Sequence, residues 1–173
     1  MKTLTAYFSM KGQTIAPGMK IVDLAKGHTA VAAEAIHTAV GGDLFEMETV
    51  KIYNRDHMQM ICEAQDEQKR GIRPELKSYP ESLDAYDTVF LCYPNWWNTL
   101  PMPVLGFMER YDWTGKRIIP VNTSEGSGAG KSAEKIREVC KGARVEAPYE
   151  LIGSQVDGRI DEIRTWAAER MQA

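Results

Sequence analysis

The sequence predicts an α/β protein: a three-layer sandwich in which helices cover both faces of a five-stranded parallel sheet. Short apolar segments of strand type alternate along the chain with segments whose apolar residues recur at helical spacing. Residues 88–92 are apolar without alternation, as in a parallel strand that is buried on both faces. Because crossovers between parallel strands are right-handed, the sandwich is expected to be doubly wound.

Each element has its own sequence signal. The expected strands are apolar or alternating and lie at residues 4–8, 44–48, 88–93, 117–122 and near 150–152. The expected helices have an apolar face and lie at about 29–40, from the N-cap Asp56 to about 70, after the tryptophans with Pro101 and Pro103 in the first turn, at about 129–140 and at 160–167. Pro120 has no N–H for the fourth strand, so a local irregularity is expected there.

Composition limits the class of protein. The chain has 173 residues and 43% hydrophobic content, which predicts a single domain over residues 1–173. A net charge of −3 with mixed signs argues against a nucleic-acid partner. The longest apolar runs are too short to span a bilayer, so no membrane partner is expected. The three cysteines are far apart in the sequence and are expected to be reduced thiols. Together with the lack of a signal-peptide pattern at the start of the sequence, this predicts a cytoplasmic protein.

Two adjacent tryptophans, Trp96 and Trp97, are the most informative feature of the chain. They follow the third strand, and ligands of open α/β sheets bind at the carboxyl ends of the strands. Thr99 is the expected N-cap of the next helix, with Pro101 and Pro103 in its first turn. Exposed indoles are unfavourable, so a flat apolar ligand is expected to cover at least one of them. The alternative is that both indoles pack under the loop as core.

Two further loops follow strands one and four. Residues 9–14 combine hydroxyl groups with a flexible glycine, a composition that suits a phosphate near a helix N-terminus. Residues 122–128 contain Gly126 and Gly128, which have no side chain to block a ligand. Each loop alone is equally typical of an ordinary turn. The prediction of a ligand site rests on all three loops lying at the same sheet edge.

Taken together, these residues resemble the flavodoxin family, in the subgroup with a Trp-Trp second loop. The similarity covers essentially the whole chain and is carried by residues 6–9, by 12–14 or 27–29, by 93–103, by 118–120 and by 126–128. It implies a flavodoxin-like doubly wound sheet of order 2-1-3-4-5 that binds FMN at the carboxyl edge. The family pattern also accommodates the proline in strand four.

The phosphate loop departs from the family pattern. The family has a compact loop that runs directly into the first helix, whereas here an insertion at about residues 13–26 separates two Gly-x-Thr sequences. We interpret the motif as split, with Ser9, Met10, Lys11 and Gly12 on one side and His28, Thr29 and Ala30 at the helix N-terminus. Lys11 stands where the family has threonine, and it is expected either to face the phosphate or to face solvent.

The resemblance implies a full set of FMN-binding residues. They are Ser9, Met10, Lys11, Gly12, His28, Thr29, Ala30, Pro94, Asn95, Trp96, Trp97, Asn98, Thr99, Thr123, Ser124, Glu125, Gly126 and Gly128. Trp96 and Trp97 are the candidates to lie against the flavin ring. Glu125 is expected to be a solvated loop carboxylate, and the alternative is that it adds a negative charge near the ring. His37 and His57 are expected on helix surfaces. No side chain is assigned as a catalytic acid or base, and no metal site is expected.

Two functions share this scaffold. One is electron transfer between protein partners, and the other is an NAD(P)H-dependent FMN quinone reductase with a small-molecule acceptor. Carrier flavodoxins are often strongly acidic, and the net charge of −3 does not match that pattern. Electron transfer is still favoured, because the sequence shows no second domain that would bind a substrate. A binding domain that has lost its flavin is the third alternative. Residues 126–132 resemble a nucleotide-binding P-loop, but Glu125 stands where that motif requires glycine.

Overall fold

A parallel sheet forms the centre of the computed structural model, which describes residues 2–173. The strands are β1 (Lys2–Tyr7), β2 (Gly12–Ala16), β3 (Lys20–Leu24), β4 (Asp43–Glu46), β5 (Tyr86–Pro94), β6 (Arg117–Ser124), β7 (Arg144–Val145) and β8 (Tyr149–Ile152). The helices are α1 (His28–Val40), α2 (His57–Arg70), α3 (Met102–Glu109), α4 (Ser132–Val139) and α5 (Ile160–Gln172), with a 3-10 helix at Gly153–Arg159.

The sheet has the order that the sequence predicted. Its strands run β4-β1-β5-β6-β7, and β8 pairs with β6 beyond the end of β7. All of these pairings are parallel. When β7 and β8 are counted as the two halves of the fifth strand, the order is 2-1-3-4-5, so the predicted doubly wound α/β fold is confirmed.

Pro120 lies where the neighbour of β6 changes. β6 pairs with β7 at Arg117 and Ile118 and with β8 only from Val121 onwards. The Ile118 carbonyl accepts the Glu146 N–H at 2.9 Å, so the backbone of Ile118 faces β7. Residues two apart in a strand face the same side, so the nitrogen of Pro120 points into the gap between β7 and β8. The missing N–H therefore falls where no ladder bond is required, which confirms the expected irregularity.

Two apolar cores lie on the two faces of the sheet. Alternation along β5 puts Val89 and Leu91 into the core beneath α3 and Phe90 and Cys92 into the core beneath α1 and α5. All four side chains are completely buried. Full burial of an apolar side chain contributes roughly 1.5–3 kcal/mol, so these strands hold the layers together and fix the sheet edge that carries the loops.

The stretch predicted as an insertion in the phosphate loop forms an antiparallel hairpin, β2–β3, in which Gly12 pairs with Leu24. Two other local predictions need correction. Thr99 is not the N-cap of α3, because that helix begins at Met102 with Pro101 at the N-cap, and only Pro103 lies in its first turn. The fourth helix begins at residue 132, not at 129.

Asp56, in contrast, caps α2 as predicted: its carboxylate accepts the Gln59 N–H at 3.0 Å. Among the helices of residues 2–173, none has both the length and the apolar character that crossing a membrane requires.

Candidate functional site

A cavity of about 470 Å³ opens at the carboxyl edge of the sheet. Small-molecule sites commonly measure roughly 300–1,000 Å³. The three loops after β1, β5 and β6 form its walls, together with the β2–β3 hairpin and the first two turns of α2. The site that the sequence predicted at this edge therefore coincides with a cavity large enough for a cofactor.

The two halves of the split first loop meet at the N-terminus of α1. The N-cap of this helix is Gly27, which has no side chain to cap it, and the Ser9 hydroxyl accepts the Ala30 N–H at 3.1 Å instead. A Cβ atom at position 27 would lie 2.2 Å from the Met10 carbonyl oxygen and 2.3 Å from Ser9 Oγ. Glycine is therefore required for this close approach. The first N–H groups of α1 have no partner within the helix, and they lie beside a hydroxyl at the cavity wall.

A buried hydrogen bond connects the first loop to the third. Thr29 Oγ1 lies 2.7 Å from Thr123 Oγ1, and both residues are buried in the wall of the cavity. The bond joins the first turn of α1 to the carboxyl end of β6. This contact fixes the helix N-terminus relative to the sheet.

A tight turn presents the two tryptophans. Trp96 and Thr99 exchange backbone hydrogen bonds of 3.0 and 3.2 Å across Trp97 and Asn98. The two central residues have φ values of 51° and 66°, as in a type I′ turn. Lys131 N–H donates to the Asn98 carbonyl at 2.8 Å, so the third loop holds this turn in place.

The two indoles have different environments. Trp96 is half-buried, with its ring edge-on to Phe8 and Tyr53 at centroid distances of 5.2 Å each. Trp97 is 43% exposed, and its Nε1 donates to the Ile61 carbonyl at 2.8 Å. Both line the cavity. The alternative in which both indoles pack as core is therefore wrong.

Hydrogen bonds within the third loop shape the opposite wall. Ser124 Oγ accepts the N–H groups of Gly126 and Gly128 at 3.3 and 3.0 Å. Glu125 is exposed, as the sequence suggested, and its carboxylate accepts the Ser154 N–H and hydroxyl, each at 2.7 Å. This pair holds the carboxylate at the cavity wall.

His28 lies beside that carboxylate, with Nδ1 3.8 Å from Glu125 Oε1. Burial lowers the pKa of His28 below its ordinary value, and the nearby carboxylates of Glu125 and Asp157 only partly oppose the shift. A neutral imidazole is therefore favoured at the start of α1.

The structure brings most of the predicted site residues to this one cavity. Those that line it are Ser9, Met10, Gly12, His28, Thr29, Pro94, Asn95, Trp96, Trp97, Asn98, Thr123, Ser124 and Glu125. Those outside its lining are Lys11, Ala30, Thr99, Gly126 and Gly128. Lys11 is exposed, Ala30 donates to Ser9, Thr99 closes the tryptophan turn, and the two glycines donate to Ser124.

Sequence reasoning missed the hairpin and α2 as parts of the wall. The additional lining residues are Gln13, Thr14, Ile15, Leu24, His57, Met60, Ile61, Ala64, Ser127 and Gly153. His57 lies on the surface of α2 as expected, and it also lines the cavity, which was not predicted. A usable signal was present in the Pro17-Gly18 pair, which separates two short strand-like runs and predicts a hairpin.

Two residues of the cavity wall have unpaired polar atoms. His57 and Asn95 line the cavity, and His57 Nδ1 and Asn95 Oδ1 are buried without a hydrogen-bond partner in the described residues. Unpaired buried polar atoms are unfavourable, and a bound polar molecule is one way to satisfy them. With the α1 N-terminus and the indoles, the site offers groups for a phosphate and for an aromatic ring. The residues therefore fit FMN.

Comparison with known proteins defines the class. The sequence profile described as flavodoxin matches residues 2–169, so the chain belongs to the flavodoxin family. FMN is the cofactor of this family and hence of the chain. No curated protein sequence matches the chain.

Three solved structures are similar to this chain. A candidate flavoprotein from Bacteroides eggerthii is 29% identical, with a TM-score of 0.69 and coverage of 94% of this chain and 97% of that one. One from Bacteroides uniformis is 27% identical, with a TM-score of 0.70 and coverage of 95% and 96%. A Lactobacillus acidophilus flavoprotein in complex with FMN is 20% identical, with a TM-score of 0.63 and coverage of 91% and 97%, and it shows the fold alone.

Proposed function

We propose that the protein is an FMN-dependent electron-transfer protein that exchanges electrons with a redox partner at the mouth of this cavity. Trp97 is the observation that carries the proposal, because its indole lines the cavity and is also 43% exposed. A ring bound against it lies within short reach of a partner at the surface. The hydrogen bond from Trp97 Nε1 to Ile61 holds the indole in that position.

Each end of the cofactor has its own set of residues. The N–H groups at the start of α1 and the Ser9 hydroxyl would hold the phosphate, with the helix dipole favouring the anion. Trp96 and Trp97 would face the ring, and the backbone of residues 94–98 its polar edge. Bound FMN supplies one- or two-electron redox chemistry. The protein positions the ring, limits access of water and sets the local charge.

Glu125 gives the site its electrostatic character. Its carboxylate is held at the wall by Ser154, and no Lys or Arg is among the described residues of the lining. A fixed negative charge disfavours additional negative charge on a ring nearby. We expect this arrangement to lower the reduction potential of the bound cofactor, and Glu125→Gln to raise it.

The test begins with flavin binding. We expect the purified protein to take up FMN stoichiometrically, with strong quenching of flavin fluorescence that Trp97→Phe and Trp96→Phe each weaken. The reduced holoprotein should then pass electrons rapidly to a one-electron protein acceptor such as a cytochrome c. A protein that binds no FMN after reconstitution contradicts the proposal and favours the binding-domain alternative.

A second candidate, an NAD(P)H-dependent FMN quinone reductase, is supported by the additional wall. Ile15, Leu24 and Met60 give this side an apolar surface, and His57 places an imidazole beside it. Such a wall suits a small planar acceptor. Anaerobic mixing with NADPH separates the two functions, because a reductase is reduced directly within the turnover time, whereas a carrier needs a reductase partner.

A further inference from the structure

A buried carboxylate lies behind the tryptophan loop and is not part of the cavity. Glu67, on α2, is only 2% exposed. Its Oε1 accepts from Lys51 Nζ at 2.6 Å, and its Oε2 accepts from the Tyr53 hydroxyl at 2.7 Å. A buried charge is tolerated when it is paired and hydrogen-bonded in this way. Pairing with Lys51 compensates the charge of Glu67, and it does not require a tyrosine at the second oxygen.

Tyr53 connects this carboxylate to the cavity wall. Its ring is buried, packs edge-on against Trp96 at 5.2 Å and lies under the Lys51 ammonium at 4.6 Å. Trp96 itself lines the cavity. Indole, phenol and carboxylate thus form a continuous series of contacts that leads from the cavity into the protein.

The phenol of Tyr53 is held in its neutral form. Burial raises the pKa of Tyr53, and the hydrogen bond to Glu67 raises it further. A neutral phenol that loses an electron becomes a strong acid and must release its proton. The Glu67 oxygen 2.7 Å away is in position to take that proton without the participation of water.

We propose that Trp96, Tyr53 and Glu67 form a relay that moves an oxidising equivalent away from the cavity. A one-electron oxidant at the cavity, of the class of a light-excited flavin, removes an electron from the Trp96 indole. Tyr53 then returns one electron to Trp96, and its hydroxyl proton passes to Glu67. The indole is restored, and a neutral tyrosyl radical remains beside a protonated Glu67. The relay prevents oxidative damage at the cavity wall and does not require FMN to operate.

A second aromatic pair in the same protein provides an internal comparison. Tyr149 stacks on Trp166 with a centroid distance of 4.0 Å, closer than the pair at the cavity. Among the hydrogen bonds of residues 2–173, none joins the Tyr149 hydroxyl to a carboxylate. If distance alone sets the rate of electron transfer from tyrosine to the indole radical, the Tyr149–Trp166 pair is faster. If the proton acceptor sets that rate, the Tyr53–Trp96 pair is faster.

The experiment uses azide radicals from pulse radiolysis, which oxidise indoles by one electron, on the full-length protein. One background, Trp97→Phe/Trp166→Phe, retains Trp96, and the other, Trp96→Phe/Trp97→Phe, retains Trp166, while the buried Trp113 is present in both. In the first background we expect the indole radical signal to convert into a tyrosyl signal. Tyr53→Phe should abolish this conversion, and Glu67→Gln should slow it by about a hundredfold, the lower end of the effect of a positioned proton acceptor.

Three results would overturn the proposal. These are a tyrosyl yield that Tyr53→Phe leaves unchanged, a rate that Glu67→Gln leaves unchanged, and a faster conversion in the background that retains Trp166. If a Glu67 variant fails to fold, deuterated solvent decides the question in the first background. A slower conversion in deuterated solvent with no dependence on buffer concentration supports the internal acceptor, and the absence of an isotope effect rejects it.

Discussion

Two loops at the same sheet edge reach their shapes in different ways. The tryptophan loop has its turn closed by its own residues, through the hydrogen bonds between Trp96 and Thr99, and Lys131 and Ile61 then hold the closed turn in place. The first loop is assembled from distant segments, because the hydroxyl that caps α1 comes from Ser9 and the hairpin lies between them. The turn of one loop is therefore closed locally, whereas the other loop forms only through tertiary contacts.

The two loops are therefore sensitive to different substitutions. A local turn tolerates changes in neighbouring elements but depends on the residues that adopt its positive φ values. An assembled loop depends on close approach between segments, so a single added atom at the contact affects both halves.

Gly27→Ala should have the largest effect on the assembled loop. The added Cβ would lie 2.2 Å from the Met10 carbonyl oxygen, a backbone atom that cannot move without displacing the loop. We expect destabilisation of roughly 2–4 kcal/mol, in the range of overpacking and strain, and a loss of FMN affinity of at least about tenfold. Urea unfolding and FMN titration measure the two effects.

Gly158→Ala is the matched control, because a Cβ there meets nothing within 4 Å and the residue has no positive φ. It should leave FMN affinity unchanged. Equal effects at positions 27 and 158 would show that the close approach at Gly27 does not hold the first loop together.

Ser9→Ala removes the cap of α1 without adding an atom. Loss of a hydroxyl that caps a helix costs roughly 1–2 kcal/mol, and the freed Ala30 N–H becomes available to a phosphate. We therefore expect lower stability of the apoprotein with a smaller loss in FMN affinity than Gly27→Ala causes. Ser78→Ala, at an exposed serine, is the control, and it should change neither quantity.

Asn98→Ala tests the local turn. Asn98 has a φ of 66°, which asparagine tolerates better than alanine, so the expected cost is roughly 1 kcal/mol. Asn98→Gly should be close to neutral, since glycine adopts this conformation without strain. Urea unfolding of both variants checks the prediction, and equal destabilisation by alanine and glycine would mean that the side chain acts in another way.

The same contrast explains how much of the molecule the sequence could predict. The irregularity at Pro120 and the Asp56 cap follow from local patterns of neighbouring residues, and both were predicted correctly. The cavity position followed from the rule that loops after parallel strands gather at one edge. The strand order was implied by the resemblance to the flavodoxin family, not by any local pattern.

Contacts between distant segments could not be read from the sequence. Glu125 is an exposed loop acid as expected, but the two hydrogen bonds that it accepts from Ser154 were not predicted. His57 lies on a helix surface, but its backbone N–H donates to the Gln13 side chain at 3.3 Å. This contact places the hairpin against α2, and it was not predicted. In both cases the partner lies in an element whose position only the tertiary fold sets, so no local pattern indicates it.

His28 gives the smallest effect and the sharpest test of the assembled loop, since its environment exists only when α1, the third loop and the 3-10 helix meet. Burial lowers the pKa of His28 below 6.5, so the folded state takes up a proton less readily than the unfolded chain. The unfolded state therefore binds more protons as pH falls below 6.5, and stability should decrease in that window and be unaffected above it. Urea midpoints on both sides of pH 6.5 should show a shallower pH dependence for His28→Gln than for the parent, with His37→Gln on the same helix as the control. Parallel curves for His28→Gln and the parent would mean that the contact with Glu125 balances the burial of the ring and that the first loop is held by its hydroxyl and glycine contacts alone.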